Sequence, residues 1–119
     1  MGEQQTARLI GAAAIAFGAC ALLMPRRFAQ LAGVPDPGRE MVYLLRFVGS
    51  TNAGLGLNLI SASDAESRRR GLRIAVAVDG LNAVLAVPAG LSKRATAFNV
   101  VANGAVAVGA SLPLIRDRG

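Results

Sequence analysis

Four long apolar runs constrain the fold more than any other feature of this 119-residue chain. They cover about residues 8–24, 42–61, 72–91 and 95–114. A hydrocarbon core of about 30 Å is crossed by roughly 20 mostly apolar helical residues, so each run is close to the length of a membrane span. Only short connectors and tails are left over. We therefore predict an all-α integral membrane protein, a four-helix bundle that forms one domain over residues 1–119.

The segments between the runs are predicted to lie at the membrane surface. Pro25 ends the first run, and residues 28–40 read as a surface loop with a short amphipathic turn. Residues 61–70, SASDAESRRR, are polar and charged and are predicted to be a water-exposed connector. Pro88 is expected to kink or tighten the far end of the third helix.

Basic residues account for the formal charge of +6, and they flank the apolar runs instead of lining one face. That arrangement is typical of lipid headgroup contacts, and it does not indicate nucleic-acid binding. Seven cationic residues lie in the tails and middle connector and five on the opposite side, with Arg46 left out as membrane-embedded. The seven are Arg8, Arg68, Arg69, Arg70, Arg73, Arg116 and Arg118; the five are Arg26, Arg27, Arg39, Lys93 and Arg94. The excess favours cytoplasmic termini in a bacterial inner membrane.

The residue inventory excludes several kinds of catalytic site. The chain has no histidine and one cysteine, Cys20, inside the first run, where it is expected to pack as a small apolar residue. Metal centres built on His and Cys are therefore excluded, as are Ser–His and Cys–His nucleophile pairs. No nucleotide, flavin or haem motif is visible. We predict no metal and no cofactor.

One carboxylate, Asp79, lies near the middle of the third run. An ionisable residue inside a membrane is costly, so Asp79 is a functional-site hypothesis by default. Asn82 follows on the same helical face. A rise of 1.5 Å per residue places Asp79 roughly 18 Å from the side that carries the 25–40 loop, and Arg46 roughly 7 Å from it. Side chains lean toward their helix N-terminus, so Asn52 is predicted to hydrogen-bond Asp79, with Arg46 nearer the surface.

A carboxyl group in such surroundings is expected to keep its proton, the state that a general acid needs. Further polar residues extend from the surface toward the same level. We predict catalytic roles for Asp79, Arg46, Asn52 and Asn82, and binding roles for Tyr43, Ser50, Asn99 and Asn103. The alternative is that these groups hold the helices together through hydrogen bonds worth about 0.6–2 kcal/mol each.

Three segments carry a resemblance to known membrane proteins. They are LLMPRRFAQLAGVPDP after the first helix, LLRFVGSTNAGLGL in the second and VDGLNAVL in the third. This pattern resembles small actinobacterial four-helix membrane proteins of unknown function in the DoxX-like neighbourhood. It is more distantly similar to integral membrane epoxide hydrolases and cyclases of polyketide and terpenoid pathways. That second resemblance implies an intramembrane acid that opens an epoxide, with Asp79 as the acid and Arg46, Asn52 and Asn82 holding the oxygen or water.

These observations leave three hypotheses. The first is a cofactor-independent membrane enzyme that performs acid–base chemistry on a small lipophilic molecule, by epoxide hydrolysis, cyclisation or isomerisation. The second is a non-catalytic accessory subunit of a membrane complex. The third is a carrier of a small lipophile or ion. Membrane lipids are expected partners in all three, and a homodimer through the Gly and Ala faces is compatible with each.

Overall fold

The computed structural model describes residues 2–88 and 90–116. These residues form five helices and no strand, which confirms the all-α prediction. The helices are α1 (Glu3–Leu23), α2 (Pro25–Leu31), α3 (Arg39–Ser61), α4 (Ala65–Ala86) and α5 (Lys93–Arg116). The four long helices correspond to the four apolar runs. The short α2 lies inside the segment predicted as a surface loop.

The four long helices are arranged as two hairpins. Helix α1 packs most extensively on α3, and α4 on α5, whereas the contacts between the two hairpins are much sparser. Each hairpin pairs two antiparallel helices that are joined by one connector. The space between the hairpins is consequently where a cavity can persist.

The α1–α3 hairpin is held together by glycines that face each other across the helix pair. Gly11 and Gly18 are seven residues apart on α1, and Gly49 and Gly56 are seven apart on α3. A Cβ added to Gly56 would lie 2.5 Å from the carbonyl oxygen of Gly11, and one added to Gly49 would lie 2.6 Å from that of Gly18. The two backbones are therefore in direct contact, as small residues permit in helix pairs within lipid.

One end of the bundle is closed by a small apolar core and a charged cluster. Ala7, Leu59, Leu72 and Ala110 are buried against each other and contribute one residue from each long helix. Just beyond them, the carboxylate of Glu3 accepts a hydrogen bond of 2.9 Å from Nε of Arg69 and lies 3.6 Å from Arg68 Nε. These contacts attach the start of α4 to the start of α1.

Aromatic side chains pack together toward the other end of the bundle. The Phe17 and Phe28 rings are perpendicular with centroids 4.7 Å apart, and Phe98 lies 6.2 Å from Phe17 and 6.0 Å from Phe28. They come from α1, α2 and α5, so this cluster attaches the short helix and joins the two hairpins. Edge-to-face pairs of this kind contribute about 0.5–1.5 kcal/mol beyond the area they bury.

Helix α4 begins earlier than the sequence predicted. Residues 65–70 were expected in the connector, but they form its first two turns, because Asp64 caps the helix. The Asp64 carboxylate accepts hydrogen bonds from the Ser67 backbone N–H (2.8 Å) and from the Ser67 hydroxyl (2.9 Å). At the other end α4 stops at Ala86, so Pro88 lies beyond the helix and does not kink it.

We expect Asp64→Ala to lower the melting temperature at neutral pH. The Ser67 hydrogen bonds hold the pKa of Asp64 below its ordinary value of 3.8. A depressed folded-state pKa stabilises the protein above the unfolded value, and this contribution is lost as pH falls through the folded value. Thermal melts followed by circular dichroism should therefore show the difference between wild type and Asp64→Ala shrinking below about pH 4. Asp36→Ala, in the exposed loop, is the control; an equal effect there would contradict the cap.

Two helices, α1 and α5, are long and apolar enough to cross a membrane, by length and composition. Only 28% of the apolar window of α1 and 11% of that of α5 is buried inside the protein, so most of both helices faces outward. Within the described residues α3 and α4 do not meet the same criterion, because their sequences carry more polar and charged side chains. Residues 2–88 and 90–116 thus contain two candidate membrane spans, and the prediction of four is not confirmed.

Candidate functional site

A cavity of about 190 Å³ lies between the two hairpins. All four long helices line it, and its walls are largely apolar. An apolar cavity of about 150 Å³ is enough to hold a benzene ring in other proteins, so this one can hold a ring-sized group. The apolar wall includes Ile10, Phe17, Leu55, Leu59, Ile74, Ala75, Val78 and Val106, and the polar wall consists of Asn52, Asn58, Asp79 and Asn103.

Asp79 is half-buried on this cavity, near the middle of the bundle. Helices α1 and α4 run side by side from the contact between Glu3 and Arg69. Asp79 lies ten residues beyond Arg69, which puts it level with Ala13, about 15 Å along α1. Ala13 lines the same cavity, consistent with this level. The carboxyl group of Asp79 is therefore level with the middle of α1.

The carboxyl group of Asp79 makes no hydrogen bond or ion pair with residues 2–88 and 90–116. The predicted hydrogen bond from Asn52 is absent, although both side chains line the cavity. An acid that joined helices together would be bonded across their interface. Asp79 instead lines the cavity with its carboxyl oxygens unbonded, so a bound molecule can form hydrogen bonds with them.

The asparagines of the cavity wall differ in how much of their hydrogen-bonding capacity is in use. Asn103 donates 2.8 Å to the Asn99 carbonyl oxygen on its own helix, which fixes the orientation of its side chain. Its carbonyl oxygen and second N–H stay available. Asn52 makes no hydrogen bond through its side chain in the described part of the chain. The same is true of Asn58, so both amides keep their donors and acceptor for a molecule in the cavity.

Five of the predicted site residues lie away from the cavity. Arg46 is exposed and lies about 9 Å along α3 from Asn52, outside the cavity. Asn82 is exposed on α4, and Tyr43 is 68% exposed near the start of α3. The others satisfy their own helices: Ser50 donates 2.9 Å to the Phe47 carbonyl oxygen, and Asn99 donates 2.8 Å to that of Ala95.

Two residues of the cavity wall, Asn58 and Phe17, were not among the predicted site residues. The face of α4 that meets the cavity runs through Gly71, Ala75 and Asp79, which are four residues apart. Following that spacing backward from Asp79, instead of forward to Asn82, would have identified this face. Phe17 carries no such signal, because an aromatic residue in an apolar run is most simply assigned to packing.

The cavity opens sideways between α3 and α4. The lining residues Leu55, Ile74 and Val78 are 38%, 40% and 39% exposed. They lie on these two helices, which share few contacts. Toward the ends, Phe17 belongs to the aromatic cluster and Leu59 to the small apolar core. A molecule can therefore reach Asp79 from the side of the bundle more directly than from its ends.

Comparison with known families, curated proteins and solved structures finds no match to this chain. Function must then be argued from the cavity itself. Its lining offers one carboxyl group, three primary amides and apolar side chains, with no cation among the lining residues. Such a set suits a mainly apolar molecule that carries one or two oxygen atoms. A neutral acid can give a proton to such an oxygen, and amides can hold an oxygen or a water molecule.

Proposed function

We propose that this chain is a membrane enzyme that opens an epoxide on a small lipophilic molecule, by hydrolysis or by cyclisation or isomerisation. The observation that carries the proposal is the unbonded carboxyl group of Asp79, which is half-buried on an apolar cavity beside Asn52. An apolar setting favours the neutral form of an acid, because burying an unpaired charge is costly. The resemblance to integral membrane epoxide hydrolases and cyclases points to the same chemistry.

In this mechanism the protonated Asp79 donates its proton to the epoxide oxygen as a carbon–oxygen bond breaks. For hydrolysis, a water molecule attacks the opened carbon and gives its proton to the Asp79 carboxylate, which restores the acid. For cyclisation, an internal hydroxyl group of the substrate takes the place of water. Asn52 and Asn103 hold the oxygen or the water by hydrogen bonds in a cavity whose walls are largely apolar. The overall oxidation level does not change and the donated proton is returned, so these steps need no oxidant or reductant.

The proposal places all four long helices in the membrane. Helices α3 and α4 carry more polar residues than α1 and α5, but part of that polarity faces the cavity or lies at the helix ends. A bilayer location also explains why large apolar side chains such as Leu23, Val101 and Val108 are mostly exposed. The excess of basic residues in the tails and middle connector favours cytoplasmic termini in a bacterial inner membrane.

The test is turnover of a panel of terpenoid and fatty epoxides by detergent-purified protein. We expect wild type to convert at least one member and Asp79→Asn to lose turnover by a factor of at least about 10², the usual contribution of general acid catalysis. Because Asp79 makes no hydrogen bond in the described structure, Asp79→Asn should keep its melting temperature. Asp36→Asn, the same change in the exposed loop, is the control. Undiminished turnover by Asp79→Asn would refute the assignment.

A second candidate function is that of a non-catalytic accessory subunit. Helix α5 presents an apolar face of Val101, Val108, Leu112 and Ile115, each at least half exposed, which a partner helix could cover as well as lipid. A partner that co-purifies in fixed ratio, with no turnover on the panel, would favour this reading. A carrier of the same lipophile would be recognised by wild-type protein that binds the molecule and returns it chemically unchanged.

The predicted homodimer would have to use other glycines than those of the α1–α3 hairpin, which are already in contact with each other. Gly104, on α5, has no other atom within 4 Å of an added Cβ. It is a small residue that stays open for such a contact.

A further inference from the structure

A second depression lies where α1 ends, α2 begins and α3 starts. Its volume is about 360 Å³, and it is distinct from the Asp79 cavity, with no lining residue in common. We call it the arginine groove. It is lined by Leu23, Met24, Pro25, Arg26, Arg27, Val42 and Arg46.

Three arginine side chains line this groove, and no acidic residue among the described parts of the chain does so. Arg26 donates one hydrogen bond of 3.0 Å to the Pro37 carbonyl oxygen, which orients its guanidinium group. Arg26, Arg27 and Arg46 form no ion pair with the described residues. Guanidinium groups bind phosphate oxygens in paired hydrogen bonds. Three guanidinium groups that form no ion pair and surround one depression therefore suit a phosphate group.

The level of the groove fits the headgroup region of a membrane. Gly49 lies against Gly18 and the Leu22 backbone, so Arg46, about one turn earlier on α3, is level with the end of α1. That end is where the apolar span of α1 stops. Leu23 and Met24 are 75% and 50% exposed beside the arginines. The groove therefore presents cations at the height of lipid phosphates and apolar side chains at the height of the upper acyl chain.

We propose that the arginine groove binds the phosphate of an anionic membrane lipid. The diester phosphate lies among Arg26, Arg27 and Arg46, and its acyl chain lies along Leu23 and Met24. This inference rests on the membrane location proposed above, and it is independent of the chemistry at Asp79. It also gives Arg46 a role that suits its exposed position.

The test is the melting temperature of detergent-purified protein with added short-chain phosphatidylglycerol or phosphatidylcholine. We expect phosphatidylglycerol to raise the wild-type melting temperature and phosphatidylcholine to leave it within error. Arg46→Gln should lose most of the shift, and Arg26→Gln with Arg46→Gln all of it. Arg73→Gln, an exposed arginine on α4 outside the groove, should keep it.

Equal shifts in wild type and Arg46→Gln, or equal shifts with the two lipids, would overturn the proposal. Melting temperatures in inorganic phosphate and in chloride, at matched ionic strength, distinguish binding of a lipid phosphate from binding of free phosphate. A stabilisation by inorganic phosphate that depends on Arg46 and equals that of the lipid would reject the lipid assignment. Retention in the membrane pellet after alkaline carbonate extraction checks the membrane location separately, and epoxide turnover checks the chemistry.

Discussion

Gly49→Ala is expected to destabilise the protein strongly, although it adds only one methyl group. That methyl would lie 2.6 Å from the Gly18 carbonyl oxygen and 2.8 Å from the Leu22 backbone nitrogen, which are backbone atoms that cannot turn aside. The two helices must therefore move apart along the whole hairpin. Overpacking of this kind costs about 1–3 kcal/mol, enough to reduce the yield of folded protein and its melting temperature.

Gly54→Ala is the matched control for Gly49→Ala. It lies on the same helix, and a Cβ there meets nothing within 4 Å. Both changes gain the same helix propensity, about 1 kcal/mol, so their difference isolates the contact. Gly18→Ala combined with Gly49→Ala should cost less than the sum of the two single changes, because both act on one contact. Equal melting temperatures for Gly49→Ala and Gly54→Ala would show that α1 and α3 are not in backbone contact.

Ala75→Phe is expected to abolish turnover of the epoxide panel without unfolding the protein. Ala75 lines the cavity one turn before Asp79, and a ring added there would occupy much of the 190 Å³ available to the substrate. Because the carboxyl group is untouched, the loss would come from exclusion of the substrate. We expect the melting temperature to be unchanged or raised, since a filled void regains packing contacts.

Ala77→Phe provides the comparison for Ala75→Phe. Ala77 lies two residues along the same helix, is exposed, and does not line the cavity. It should leave turnover and melting temperature close to wild type. Similar losses in the two variants would mean that α4 does not present Ala75 to a substrate cavity. Turnover retained by Ala75→Phe would place the reaction elsewhere, even if Asp79→Asn were inactive.

The hydrophobic runs were sufficient to predict four long helices, because run length and polar connectors are properties of the sequence itself. The boundaries were less predictable. The connector before α4 contains six residues that are helical, since the Asp64 cap lets a polar, charged segment begin the helix. Helix α2 was missed because its seven residues begin with a proline and are soon followed by a segment rich in glycine and proline. Its stability comes partly from the packing of Phe28 on Phe17.

The candidate site was predicted in part. The rise per residue of a helix is fixed, so the depth of each residue along its helix could be estimated from the sequence. The residues Asp79, Asn52 and Asn103, which were placed toward the same depth, do line one cavity. Rotation about each helix was harder to predict. The polar face of α3 through Arg46 and Ser50 turns outward, since close packing of Gly49 against α1 sets the rotation of that helix. Asn82, on α4, is also exposed. Glycine contacts, not polar residues, decide which face of α3 looks inward.

The two tight hairpins enclose a cavity whose wall is formed mostly by residues other than those that hold the helices together, although Gly56 and Leu59 belong to both sets. The glycine contacts of α1 and α3 lie within one hairpin, whereas the cavity wall is assembled from both. A substitution at Ala75 or Ala102 alters the width of the cavity and leaves those glycine contacts untouched. A chain built this way can diverge in the molecules it accepts while its helices keep the same partners.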